Sequence, residues 1–436
     1  MSRIRIKNLG PIEYFENDVN EEMMVLIGEQ ASGKSTIAKT VFFCKSISEE
    51  FKKFLMNPEG VLMSPFQSRN IVSFKKQLRT KFMEYFGTTK HMDPFSVTYT
   101  FDNGEYVEIK LESGYANVHF SAKLEKQCGN LLGDIRGYYI RQETSEVRQS
   151  ADLRLWVSGR EDLAKKIDIN VDQIFGQNYT SIFIPAGRSM LATNSDFFHT
   201  LTPNKYDILM NEFIERITIL QKQYSQKLED IITDRKKTSL AEIDFSSVAR
   251  AKRLVTEILK GEYVNDKNGE RIYYSSKRFV KLVQASSGQQ EALWIVLMIF
   301  SIILNKQRVY LVIEEPEAHL FPNAQKKMLE LIALMINATK SKVILTTHSP
   351  YILTAANLAM YSSFVENRQD SKDDIVPIKY RISAERVNAY ILKDHTAQDI
   401  IDRENHMIDA AKIDEISEIL NSATDKLIER EIRNGL

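Results

Sequence analysis

Nine consecutive residues near the N-terminus, Gly28, Glu29, Gln30, Ala31, Ser32, Gly33, Lys34, Ser35 and Thr36, spell G-x-x-x-x-G-K-[ST] followed by a second hydroxyl. Glycines at those positions let backbone N–H groups close around phosphate oxygens. Lys34 would then reach the β- and γ-phosphates and the Ser35 hydroxyl would hold Mg²⁺. Such a loop needs a strand before it and a helix behind it, whose positive N-terminal end faces the anion. Both are present as patterns: Met23 to Ile27 is an apolar run, and Ile37, Ala38, Val41 and Phe42 mark a helix. A plain glycine turn is the alternative, but a chance match is on the order of one per cent at average composition.

Three further segments could complete a phosphate site. Val309 to Ile313 is a β-branched run that ends in Glu314 and Glu315. One carboxylate would order the Mg²⁺ shell and the next would orient or deprotonate an attacking water. Glu314 stands where Asp is usual, and its extra methylene predicts metal contact through water. A solvated Glu-Glu pair after a core strand is the alternative. Ala285 to Glu291 is a small-residue turn opening a helix, in which Ser286, Ser287, Gly288 and Gln289 would offer a second phosphate-binding helix start; by itself it reads better as a serine helix cap. Thr346-Thr-His348-Ser-Pro350 follows the run Val343 to Leu345. His348 could hydrogen-bond a γ-phosphate, although a lone histidine is more often structural.

The rest of the chain must hold these residues. It has 436 residues, with 58 Lys+Arg against 58 Asp+Glu and 43% hydrophobic content, which excludes a fully disordered chain and supplies a large core. Zero net charge leaves a local basic patch open as a nucleic-acid contact. Cys44 and Cys128 are the only cysteines, so there is no disulfide framework, and the reading is cytoplasmic. The longest apolar run, Ala292 to Leu304, is interrupted by Ser301, which argues against a membrane span.

The expected fold class is α/β. Ile4 and Ile6 alternate with charges, Asn8 to Pro11 makes a turn, and Asp102-Asn-Gly104 between alternating runs predicts a hairpin over residues 95–111. Tyr138 to Ile140 and Ser181 to Ile184 are strand candidates. Apolar spacing near 3.6 predicts one helix over Tyr206 to Ile232, with a second over Ser246 to Leu259. Together these predict a discontinuous core at residues 1–44, 93–200 and 275–370. A helical insertion is expected at 45–92, a helical hairpin insertion at 201–274 and a helical segment at 371–436. From Arg381 onward twelve acidic residues face eight basic ones, which suggests a docking tail or a solvated face. Basic clusters at Lys75, Lys76, Arg79 and Lys81 and at Arg235 to Lys237 are candidate phosphate contacts or solvated helix faces.

The order of the motifs resembles the ABC-type ATPase (P-loop NTPase) fold, in the SMC/Rad50/RecF branch. Glu314-Glu-Pro-Glu-Ala-His-Leu-Phe-Pro322 resembles a segment of OLD-like and Septu PtuA-like anti-phage defence ATPases, as do Ile184-Pro-Ala-Gly-Arg-Ser189 and the opening Ile6 to Pro11. The resemblance spans residues 1–44 and about 180–360. It implies an ABC core with an antiparallel β subdomain and a helical insertion, and ATP and Mg²⁺ as cofactors. It implies Glu314 as the Walker B acid, Glu315 as the catalytic carboxylate, His348 as the switch histidine and Ala318 to Leu320 as the D-loop. Ser286 and Gly288 would act in trans on the nucleotide of another copy, so that ATP joins a homodimer or larger oligomer. Ala285 and Ser287 depart from the usual L-S-G-G-Q, and only Gln142 offers itself as a Q-loop glutamine. The function implied is an ATPase that regulates a separate nuclease chain in anti-phage defence, with DNA as a candidate ligand. A DNA-repair ATPase of the RecF/Rad50 type and a nucleotide-binding scaffold with little hydrolysis are the alternatives.

Overall fold

The computed structural model describes residues 2–62, 71–89, 92–112, 114–144, 153–193, 206–238, 243–366 and 374–409, together with Ser422 and Asp425. The strands are β1 (Arg3–Leu9), β2 (Ile12–Asp18), β3 (Met23–Gly28), β4 (Ser96–Thr100), β5 (Tyr106–Glu112), β6 (Tyr115–Phe120), β7 (Thr180–Ile184), β8 (Glu262–Asp266), β9 (Gly269–Tyr273), β10 (Phe279–Lys281), β11 (Val309–Glu314), β12 (Lys342–Thr347), β13 (Val387–Lys393) and β14 (Thr396–Asp399). The helices are α1 (Lys34–Met56), α2 (Pro58–Leu62), α3 (Val72–Phe86), α4 (Ala122–Thr144), α5 (Leu153–Phe175), α6 (Ser189–Thr193), α7 (Ile208–Gln223), α8 (Leu228–Thr238), α9 (Phe245–Leu259), α10 (Ser287–Leu304), α11 (Pro322–Thr339) and α12 (Pro350–Val365).

Eleven strands form one sheet in the order β6-β5-β4-β1-β2-β14-β13-β3-β12-β11-β7. Strands β13, β3, β12, β11 and β7 run parallel, while β2, β1, β4, β5 and β6 form an antiparallel half. This is the expected α/β fold with its antiparallel β subdomain. The strand period of two sends alternate side chains into two cores. Met23, Val25 and Ile27 enter one with α9, α10 and α11, whereas Met24 and Leu26 enter the other with α1, α3 and α5. Helix α10 is apolar all round because core surrounds it. Among the described residues it is the one helix long and apolar enough to cross a membrane, yet 83% of it is buried inside the protein.

Four sequence expectations are corrected. Tyr138 to Ile140 is not a strand but part of α4, which also carries Gln142 and packs on α2 and α5. The helix expected over Tyr206 to Ile232 breaks into α7 and α8. Tyr224 turns inward at the break: its hydroxyl donates to the Leu297 carbonyl at 2.7 Å and its own carbonyl accepts from Asn265 N–H. The 201–274 segment is not simply a helical hairpin. Helix α9 packs on α10 and α11, and the segment ends in β8 and β9, joined by a turn at Lys267 and Asn268. The 371–436 segment is not simply helical. Its strand β13 lies between β14 and β3, with Val387 and Ala389 in one core and Tyr390 and Leu392 in the other. The alternation that makes β13 is seven residues long and disappears in a charge count over the whole tail. Most of 410–436 lies outside the described residues.

Candidate nucleotide-binding site

Parallel register gathers the motifs. Glu314 of β11 lies beside Thr346 of β12, Thr346 beside Leu26 of β3, and Gly28 beside Leu392 of β13. The carboxyl ends of four adjacent strands therefore meet at one sheet edge, the usual place for a ligand in an open α/β sheet.

The glycine loop leaves β3 at that edge. Gly28 has φ +150°, and a Cβ there would lie 2.6 Å from the Leu392 carbonyl oxygen and 2.8 Å from Ser32 Oγ. Gly33 has φ +100°, and a Cβ there would meet Ile12 Cδ1 at 2.3 Å. Ala31 is also left-handed, with φ +60°. Gly33 caps α1 without any side-chain hydrogen bond, so the first N–H groups of α1 keep their capacity for an anion. The buried Lys34 ammonium donates to the carbonyls of Gly28 at 2.8 Å and Glu29 at 2.7 Å. Burial lowers its pKa, opposed by the charges of Glu315, Glu317 and Glu314. Glu29, Gln30, Ala31 and Ser35 are exposed and Thr36 is half-buried.

The strand ends supply the acids. Glu314 is buried; its Oε2 accepts from Ala186 N–H at 3.2 Å and its Oε1 has no partner. Glu315 is partly exposed and left-handed, with φ +46°. Its Oε1 lies 3.5 Å from His348 Nε2. Glu317, to which sequence reasoning gave no role, accepts at Oε1 from the Thr347 hydroxyl and from His348 N–H, and its buried Oε2 has no partner.

The four residues Ser286 to Gln289 open α10 as a capping box: Ser286 Oγ accepts from Gln289 N–H, and Gln289 Oε1 accepts from Ser286 N–H. Ser286 and Ser287 are exposed. A Cβ on Gly288 would lie 2.6 Å from the His319 carbonyl oxygen, so this turn is pressed against residues 319–320. Among the described residues, no hydrogen bond joins it to residues 28–36. The structure thus brings together the glycine loop, Glu314, Glu315 and His348, and leaves Ser286 and Ser287 of the α10 turn exposed. Gln142 lies near the end of α4.

Sequence reasoning also missed Arg188 and Glu291. Both lie inside segments singled out there, Ile184 to Ser189 and Ala285 to Glu291, but nothing in one sequence marks them as partners. Their ion pair is fully buried.

The orphaned oxygens test the fit of a metal. Ser32 Oγ, Glu314 Oε1 and Glu317 Oε2 are buried hard donors without partners. Among the described residues no group of three or more His, Cys, Asp or Glu could hold an ion unaided. That combination suits Mg²⁺, which takes one or two protein oxygens and completes its shell with phosphate and water.

The family described as AAA ATPase domain matches residues 1–353. No curated protein sequence matches the chain. Similar solved structures include an SMC head bound to the C-winged helix domain of ScpA, at 10% identity, 91% coverage of this chain, 96% of that chain and a TM-score of 0.41. The SMC head domain from Thermotoga maritima matches at 9% identity, 91% and 97% coverage and TM-score 0.37. An SMC head with an extended coiled coil from Pyrococcus furiosus, bound to the C-terminal domain of ScpA, matches at 11% identity, 97% and 100% coverage and TM-score 0.38.

Proposed function

The chain belongs to the AAA ATPase domain family, and we propose that it is an ATP-hydrolysing switch whose composite sites form between copies of itself. One observation carries this reading: parallel register places Glu314, Glu315 and His348 beside the glycine loop, and Lys34 lies within the field of the carboxylates. Lys34 exchanges the carbonyls of Gly28 and Glu29 for the β- and γ-phosphates. Ser35 and Glu314 would hold Mg²⁺. When bound, that ion neutralises charge developing on the phosphoryl oxygens. Glu315 orients the attacking water and accepts its proton. His348, whose Nε2 lies 3.5 Å from Glu315 Oε1, would donate to the γ-phosphate.

The α10 turn, Ser286 to Gln289, serves the nucleotide of a second copy. The exposure of Ser286 and Ser287, and the lack among the described residues of hydrogen bonds from the turn to residues 28–36, support this. Two equivalent sites then follow from two-fold symmetry, and hydrolysis releases the interface. We assign nucleic-acid cleavage to a separate chain under this switch, within anti-phage defence, on the resemblance of residues 314–322 to defence ATPases. Three of the clustered basic residues are already paired within the chain. Lys75 pairs with Glu125, Lys81 pairs with Glu50 and Glu212, and Lys237 pairs with Asp234.

Mixing variants tests the shared site. Ser286→Arg blocks the α10 turn and Lys34→Ala disables the loop, so each alone should lose hydrolysis. A mixture can build one intact site from two good halves and should recover part of the activity. No recovery on mixing would contradict sites shared between copies. DNA cleavage by the isolated chain with Mg²⁺ or Mn²⁺ would contradict the separate nuclease.

A further inference from the structure

Arg188 is 0% exposed and spends its guanidinium on backbone carbonyls around the acids. Nη1 donates to Pro185 at 2.6 Å and to Glu314 at 2.7 Å, and Nη2 donates to Glu315 at 2.9 Å. Nε donates to the carbonyl of Glu291 at 3.0 Å and lies 3.4 Å from Glu291 Oε2. The Glu291 carboxylate in turn accepts from Arg188 N–H at 3.1 Å and Ser189 N–H at 2.9 Å. Glu291 is in the first turns of α10, just after Ser286 to Gln289. One buried ion pair therefore joins three elements: the loop after β7, the start of α10 and the end of β11.

The Glu315 backbone is the strained point in this arrangement. A non-glycine residue at φ +46° persists only where its surroundings hold it. Arg188 holds its carbonyl, and the Thr346 carbonyl accepts its N–H at 2.9 Å. The direction of the Glu315 side chain follows from that fixed peptide.

We propose that Arg188 is a positioning residue. It locks the Glu315 backbone and, through Glu291, ties it to the α10 turn, so that engagement of Ser286 to Gln289 by a second copy's nucleotide is felt at Glu315 of the same copy. This rests on the composite ATPase reading above. Arginine suits the task because its planar fork meets several carbonyls at once, which a lysine cannot do.

Arg188→Lys keeps the charge and loses the fork. Glu291→Gln keeps the shape and loses the charge. Neither touches the glycine loop, so fluorescent-nucleotide affinity and KM should stay within about twofold while kcat falls roughly tenfold to a hundredfold, the scale expected of an ångström-sized misplacement. The double variant should be no slower than the slower single variant, because both break one unit. A wild-type kcat in Arg188→Lys, multiplied losses in the double variant, or a loss of kcat that merely tracks lost nucleotide binding and thermal stability would overturn the proposal. If Arg188→Lys does not fold, Glu291→Gln decides on the same readouts. Inactive Lys34→Ala and Glu315→Gln beside unimpaired Arg188→Lys and Glu291→Gln would sink this inference alone. A wild-type chain that binds ATP and hydrolyses none would bring down the ATPase reading and this inference together.

Discussion

The hydroxyl of Thr347 donates to Glu317 Oε1 at 2.6 Å, and the next N–H, that of His348, donates to the same oxygen at 2.8 Å. This bridge closes the gap between the turn after β11 and the end of β12. It sets the backbone from which His348 reaches Glu315. Thr347→Val removes one of two donors from a charged acceptor and should cost about 1–3 kcal/mol of stability. Hydrolysis should fall while nucleotide affinity is kept. Denaturant unfolding and steady-state turnover check this, and an unchanged kcat would separate the bridge from His348.

Gly288→Ala should act where α10 meets the turn at His319. Its Cβ would lie 2.6 Å from a carbonyl oxygen that cannot rotate away, so the two segments must separate. The expected loss is about 1–3 kcal/mol, as for other overpacked contacts, with hydrolysis reduced and binding at the glycine loop intact. Thermal melting and nucleotide titration give the answer. A variant as stable and as active as wild type would show that the two turns move independently.

The sheet edge was legible because its motifs are short and local. Gly28 to Thr36, Glu314, Glu315 and His348 each follow an apolar run, and parallel register does the rest. Arg188 and Glu291 were not, since their partnership spans 103 residues of sequence and exists only once β7, α10 and β11 pack together. The break at Tyr224 hid inside an unbroken helical period because the same apolar stripe continues through α7 and α8. Strand β13 hid behind the charges of the tail.

That strand changes what a truncation can test. Deleting 381–436 removes β13 and β14 together from between β3 and β2 and should abolish cooperative unfolding and nucleotide binding together. Removing only 410–436 spares every strand of the sheet and is the deletion that tests partner docking. Circular dichroism melts of both forms check this. A stable, nucleotide-binding chain ending at 380 would contradict the placement of β13.

Lys45 gives a pH signature. Its ammonium is buried near the rings of Tyr99, Tyr179 and Tyr310 and 3.3 Å from Ser2 Oγ. Burial first, then the charge of Lys342, pushes its pKa down to about 7 from an ordinary 10.5, opposed by Asp102. With the folded value below the unfolded one, the cost to stability is complete below pH 7. It shrinks as pH rises toward 10.5, because the unfolded chain then holds more protons. Relative to Lys45→Met, which fills similar space without a charge, wild-type stability should therefore climb between pH 7 and 10. Parallel pH curves for the two proteins would contradict a strained buried charge.

The central claim is that Lys34 binds ATP and Glu315 hydrolyses it within one site. The most direct measurement compares ATP affinity and single-turnover hydrolysis in wild type, Lys34→Ala and Glu315→Gln. The account predicts lost affinity in Lys34→Ala, and in Glu315→Gln a retained affinity with hydrolysis slowed by about two orders of magnitude or more. Wild-type turnover in Glu315→Gln, or wild-type affinity in Lys34→Ala, would contradict it.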